Sequence, residues 1–205
     1  MSETIDPAWW IQPATLTGQH VSLSPLTMEH APALGLASSD GELWRMFYTA
    51  VPTPETAADY VATALKQQRE GWAVPFVVRD AGGTIVGTTR YCNIDSANRR
   101  VEIGWTWYAQ RVQRTALNTE AKLMLLTHAF EVLAAGAVEL RTSYMNHRSR
   151  AAIARLGAKQ DGILRNHMAL PGGGYRDTVV FSVIASEWLA VKRNLQYLLE
   201  TGGRR

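Results

Sequence analysis

Cysteine is nearly missing from this chain. Cys92 is the only one, which excludes an internal disulfide and any multi-cysteine metal site. It sits in a strand-like run with no activating pattern around it, so a structural thiol is expected. Histidine offers no metal site either: the five present, His20, His30, His128, His147 and His167, show no His-x-x-x-His spacing. Long apolar runs are lacking, none approaching the ~20 residues of a membrane helix, and no secretory segment opens the sequence. A cytoplasmic protein without membrane attachment is therefore expected. Charge of neither sign dominates, with 21 basic against 18 acidic residues and a net charge of +3. That balance, with no basic aromatic sheet, argues against a nucleic-acid-binding module and leaves a slight preference for anionic ligands. Internal repeats, low-complexity stretches and linkers are missing as well.

What is present is an ordinary globular composition, 46% hydrophobic and 19% charged, over 205 residues. That length fits one domain over 1–205 with a sizeable core. Residues 1–19 form an N-terminal extension pinned by Trp9 and Trp10. A strand is expected over 20–26 and a helix over 28–37. Residues 40–51 carry Trp44, Met46, Phe47 and Tyr48 without clean periodicity, either as core packing or as a wall of a substrate pocket. Thr53 caps a helix with Pro54 in its first position, running to Glu70 and ended by Gly71. Two β-rich runs, 74–79 and 84–93, flank Asp80-Ala81-Gly82-Gly83 as a hairpin. A second hairpin joins 159–169 to 175–184 around Pro171-Gly172-Gly173-Gly174, a turn without the Lys-Ser/Thr of a phosphate loop. Residues 186–200 form a last amphipathic helix, and 201–205 a basic tail.

The chain is organised around Val101–Leu133. Val101, Ile103, Trp105 and Trp107 alternate with Glu102, Gly104 and Thr106, the period of a two-faced strand. From Leu117 the apolar residues Leu117, Ala121, Met124, Leu125, Ala129, Val132 and Leu133 recur at helical spacing. Asn118 or Thr119 can cap that helix, with Glu120 as an acid in its first turn. A loop entering a helix from the end of a strand presents free backbone N–H groups and a positive dipole end. Such a site suits a pyrophosphate. After the helix, residues 138–144 form a strand, so a strand–helix–strand crossover places two strands parallel and adjacent. Asn146 then caps a short helix, 147–156, stopped by Gly157.

Gln113-Arg114-Thr115-Ala116-Leu117-Asn118, ahead of Thr119-Glu120-Ala121, resembles the pyrophosphate loop of the GNAT superfamily of acyl-CoA-dependent N-acetyltransferases. The family pattern is Gln/Arg-x-x-Gly-x-Gly/Ala. Ala116 and Asn118 stand where the two glycines would be. Asn146-His147-Arg148-Ser149, followed by Ala152 to Ala158, is similar to the family's Asn-x-x-Ser segment. The order of elements over roughly 20–185 also resembles that fold. Asn-Thr-Glu-Ala-Lys with Asn-x-x-Ser is most similar to the branch that acetylates ribosomal-protein N-termini and related amines.

The resemblance implies an α+β fold: a mixed, mostly antiparallel sheet with a parallel, splayed central strand pair flanked by helices. It implies acetyl-CoA as cosubstrate, an amine acceptor and no metal. The pantetheine would pair with backbone at Trp105, Thr106 and Trp107, the pyrophosphate would meet Gln113 to Asn118, and Asn146 and Ser149 would hold the arm or thiol. Glu102 is the candidate base or water-holding carboxylate, or else a structural residue; Ser149 is the candidate acid. Many members place a tyrosine acid where this chain has Ile153, leaving Ser149, water or Tyr144. Asn146 would cap a helix in any fold, and Ser149 is open to a plain surface role. Arg111, Arg114, Arg148 and Arg150 are solvated charge or contacts for the 3′-phosphate. A non-catalytic acyl-CoA sensor is the alternative function. Homodimer formation is left open.

Overall fold

A computed structural model describes residues 7–170 and 173–202 of the chain. The alternating runs become β1 (Leu16–Thr17), β2 (Val21–Pro25), β3 (Ala73–Asp80), β4 (Ile85–Asp95), β5 (Arg100–Tyr108), β6 (Ala137–Ser143), β7 (Lys159–Ala169) and β8 (Tyr175–Ile184). The helices are α1 (Ala31–Ser39), α2 (Ala57–Arg69), α3 (Ala116–Thr127), α4 (His147–Leu156) and α5 (Trp188–Glu200). Among the described residues the strands form one eight-stranded sheet in the order β1-β2-β3-β4-β5-β6-β8-β7. Neighbours run antiparallel except β5 and β6, which are parallel because α3 carries the chain back between them. The fold is α+β, a mostly antiparallel sheet with one parallel pair, as the resemblance implied.

Successive side chains of a strand point to opposite faces, and β4 shows what covers each. Arg90 reaches Gln67 on α2, whereas the next residue, Tyr91, donates its hydroxyl to the Leu125 carbonyl of α3 at 2.5 Å. One face therefore lies under α2 and the other under α3. Helix α5 joins the α3 side, where Phe130 and Trp188 stack with ring centroids 5.1 Å apart. Leu23, Phe76, Val78, Tyr91, Leu125, Leu126, Val138, Val179 and Leu195 are all buried in the core between sheet and helices. Trp10 is buried there too, but Trp9 is exposed, so only one of the expected pair pins the N-terminal segment.

Helix ends differ from the sequence expectation where side chains compete for backbone. Thr53 and Thr56 cap one another's N–H groups in a turn, and α2 starts only after Thr56. Gly71 ends it as expected, at φ +76° with Trp72 N–H bonded to the Gln67 carbonyl. The long helix was expected to run on to Leu133. It passes instead into a π-helical turn, His128–Val132, just after the Leu125 carbonyl that receives the Tyr91 hydroxyl. Neither Asn118 nor Thr119 caps α3. Thr115 does, its hydroxyl accepting the Leu117 N–H at 3.3 Å.

Glu120 is likewise not in the first turn but buried beyond it. Its carboxylate accepts the N–H groups of Gln19, His20 and Val21 at 2.9, 2.6 and 3.1 Å, fastening the β1–β2 turn to α3. Gly18 is needed there, since a Cβ would lie 2.5 Å from the Glu120 carboxyl carbon. The second hairpin matches its expected bounds, although Pro171 and Gly172 of its turn lie outside the described residues.

Candidate active site

The parallel pairing of β5 with β6 is short. Arg100, Val101 and Glu102 face Ala137, Val138 and Glu139, and there the register ends. Both strands continue, but each stays with its outer neighbour: β5 with β4 as far as Tyr108, and β6 with β8 as far as Ser143. The sheet therefore opens into a V whose apex is Glu102 and Glu139. Backbone groups on the inner edges are left without a strand partner, and such groups demand some other one. The opening is widened by a bulge in β5, where Thr88 faces Trp107 but Arg90 faces Gly104. The extra residue is Trp105, held at φ +53°, which is uncommon for a bulky side chain.

The mouth of the V leads to the start of α3. The loop turns at Arg114, φ +62°, and the helix begins with Thr115 as its cap. Ala116 and Asn118 both lie inside regular helix, so neither needs the backbone freedom of the glycines they replace. The left-handed residue is Arg114 instead. Gln113 donates its side-chain amide to the Tyr108 carbonyl at 2.9 Å, tying the loop back to β5. Thr115 takes the Leu117 N–H of the first turn, and the remaining N–H groups of a helix start, with its positive dipole end, suit an anion. Leu117 turns its side chain into the core. Arg111 is held by Asp40 at 3.2 Å and Asp80 at 3.8 Å, whereas Arg114 and Arg148 form no ion pair with the described residues.

On the α2 side of the apex stands Glu102, 8% exposed. It accepts a hydrogen bond from Asn93 Nδ2 at 2.7 Å and lies 3.4 Å from Arg141 Nε. Its carboxylate folds over Gly104, where a Cβ would come within 2.6 Å of Oε1, so Gly104 makes room for it. Burial raises its pKa above the ordinary carboxylate range. Cys92, directly opposite on β4, is buried and its thiol is pushed up by the same desolvation, consistent with a structural role. Arg176 bonds the Tyr48 carbonyl at 2.7 Å, so the loop at 40–51 is tied to the β7–β8 hairpin across this face. Phe47 is exposed beside it, which disfavours core packing for that residue.

The side chains at the bulge divide between faces. Trp107 gives its indole N–H to the Tyr60 hydroxyl at 3.3 Å on the α2 side, leaving only its backbone toward the gap. Thr106 points to the α3 side, where its hydroxyl meets Thr89 at 2.7 Å and Lys122 Nζ at 2.9 Å. Lys122 is buried, and desolvation brings its pKa down to about 7. Beyond β6, Asn146 caps α4 by accepting the Ser149 N–H at 3.0 Å. The Ser149 hydroxyl bonds no described residue. Ile153 is buried and aliphatic, and Tyr144 is half-exposed with the Arg150 guanidinium 4.6 Å above its ring.

Sequence patterning missed Arg90, Asn93, Lys122, Arg141 and Arg176. Arg90 alone carried a signal, as the single charge within the run Ile85–Asn93. The others are placed by register and by helix phase, which a linear pattern does not resolve.

The comparisons with known proteins agree with this geometry. Residues 20–159 match the family described as "Acetyltransferase (GNAT) domain". The chain belongs to the GNAT acetyltransferase family and is an acyltransferase enzyme. It is 27% identical over 176 residues to the candidate ribosomal N-acetyltransferase YdaF of Bacillus subtilis (strain 168), covering 83% of this chain and 94% of that one. A GCN5-related N-acetyltransferase structure from Brucella melitensis superposes with a TM-score of 0.81 at 30% identity, covering 92% of this chain and 86% of its own. Mycobacterium smegmatis RimJ, solved in complex with CoA-disulfide, shares the fold at a TM-score of 0.74 and 23% identity, over 93% and 94% of the two chains.

Proposed function

We propose that the chain transfers an acetyl group from acetyl-CoA to a primary amine by direct attack within a ternary complex. The acceptor is a protein N-terminus, with ribosomal proteins first to be tried, or a small amine. The observation that carries this is the end of β5–β6 pairing after Glu102 and Glu139, which leaves an open backbone edge pointing at a helix N-terminus. An extended amide-bearing arm ending in a pyrophosphate has the right chemistry for both. Backbone at Trp105, Thr106 and Trp107 would pair with pantetheine. The segment Gln113, Arg114, Thr115, Ala116, Leu117 and Asn118 would take the pyrophosphate, and Asn146 and Ser149 would hold the thiol end.

The chemistry needs little more than placement. The amine nitrogen loses a proton, attacks the thioester carbonyl carbon, and the thiolate leaves. Orientation alone can supply on the order of 7–11 kcal/mol in ideal cases. Glu102 takes the amine proton, directly or through one water, and burial suits it to that task by raising its pKa toward neutrality. Ile153 cannot return a proton to the thiolate, so Ser149, with its free hydroxyl, or solvent does so. The protein acts as one domain in the cytoplasm without nucleic acid; a homodimer would leave this scheme unchanged.

Thermal melting with CoA or acetyl-CoA tests the binding half. A ligand at about 100 times its Kd stabilises by roughly 2.7 kcal/mol, or about 5–10 °C for a domain of this size. No shift at millimolar acetyl-CoA would overturn the assignment of the gap.

A further inference from the structure

Resting on the acetyl-transfer reading, we propose that the acceptor is an amine carrying a nearby anionic group, and that Arg90 receives that group. Arg90 is 1% exposed, yet among the described residues no carboxylate lies within ion-pair distance of it. Its hydrogen-bond partner is a neutral amide, Gln67 Oε1 at 2.8 Å. The Tyr60 and Trp105 rings lie 4.8 and 4.6 Å from the guanidinium carbon, and its Nε has no acceptor at all. A buried cation ordinarily has an anionic partner, and a buried N–H ordinarily has an acceptor.

The other arginines around the apex show the contrast. Arg141 holds Glu139 at 2.7 Å and Glu102 at 3.4 Å, and Arg100 holds Glu139 at 2.6 Å. Arg176 also has an Nε without an acceptor, but it is only partly buried and already bonds Tyr48 and Met168. Arg90 is thus the cation left over on this face.

Its position relative to Glu102 gives the proposal its direction. Gly104 is the cross-strand partner of Arg90, and the Glu102 carboxylate lies over Gly104 while bonding away toward Asn93 and Arg141. A carboxylate and a guanidinium therefore stand near the same rung without joining. A ligand with an amine toward Glu102 and an anion toward Arg90 would match that order of charges. Trp105, 42% exposed, covers the guanidinium from the bulge at φ +53°. Its indole is the wall that must shift for the anion to reach Arg90, and strained backbone of this kind gathers at functional sites.

The test compares matched acceptors with the wild-type enzyme and acetyl-CoA. One arm uses short peptides differing only by Glu or Gln at the second residue; the other sets free amino acids against their amides. The anionic member of at least one arm should be preferred by about tenfold to a hundredfold in kcat/KM, the scale of a charge-assisted hydrogen bond. The arm that responds identifies the source of the anion. Arg90→Gln, with its melting temperature checked, should lose the preference while still acetylating the neutral members. Equal rates within both arms, or a preference undiminished in the folded variant, would overturn the proposal. If no amine is acetylated although CoA binds, the transfer reading itself falls, and this proposal with it.

Discussion

Glu102 has a pKa above the ordinary glutamate value of ~4.3 because it is buried. If it takes the amine proton, kcat/KM should fall on the acidic side at a pH above that ordinary value. Glu102→Gln should remove that limb and lower the plateau by about 10²–10⁴-fold; an unchanged acidic limb would return Glu102 to a structural role. Lys122 is perturbed in the opposite direction. Its folded pKa is about 7, while an unfolded lysine holds its proton to ~10.4. The unfolded chain therefore binds more protons between those values, and this residue's contribution makes stability rise as pH climbs through that window. Denaturant melts from pH 6 to 9 should show wild type gaining on Lys122→Met above pH 7. A difference that stays flat would mean Lys122 is not charged differently in the two states. Glu102 could be picked out beforehand because strand alternation sets it apart from Val101 and Ile103. Lys122 could not, because a lysine within a helix gives no sign of its own burial, and only packing against Thr106 shows it to be enclosed.

At the scale of elements, the strand–loop–helix that begins at Val101 explains most of the site. The capping of α4 by Asn146 and its stop at Gly157, φ +104°, were legible because each rests on a local interaction. The two hairpins were legible for the same reason, and the parallel crossover because a strand–helix–strand order returns the chain in the same direction. What escaped was set by distant partners. Strand β1 is two residues long and exists where Glu120 gathers the N–H groups of Gln19, His20 and Val21. The cap of α3 fell to Thr115 rather than Asn118 or Thr119 because the chain turns at Arg114, a left-handed residue that no propensity announces. Ala116 is the small residue at the first position of α3. Ala116→Trp should leave the melting temperature without ligand close to wild type and abolish the shift produced by CoA. A variant that still responds fully to CoA would place the pyrophosphate elsewhere.

For the whole molecule, the sheet supplies two halves, β1 to β5 and β6 to β8, joined by three residue pairs at the apex of the V. The buried Glu102 carboxylate stands on the α2 side of the apex, and the loop after β5 leads into the N-terminus of α3; in the proposed transfer the amine would come to the first and acetyl-CoA to the second. The proposed transfer needs no covalent enzyme intermediate, because the amine attacks the thioester directly. Its most direct test is turnover: purified protein, acetyl-CoA and a pool of small amines and peptides with free N-termini, with products followed by mass spectrometry alongside released thiol. An acetylated amine is expected in amounts equal to the free CoA formed. Bound CoA with no acetylated amine in the pool would contradict the account and leave the chain an acyl-CoA sensor.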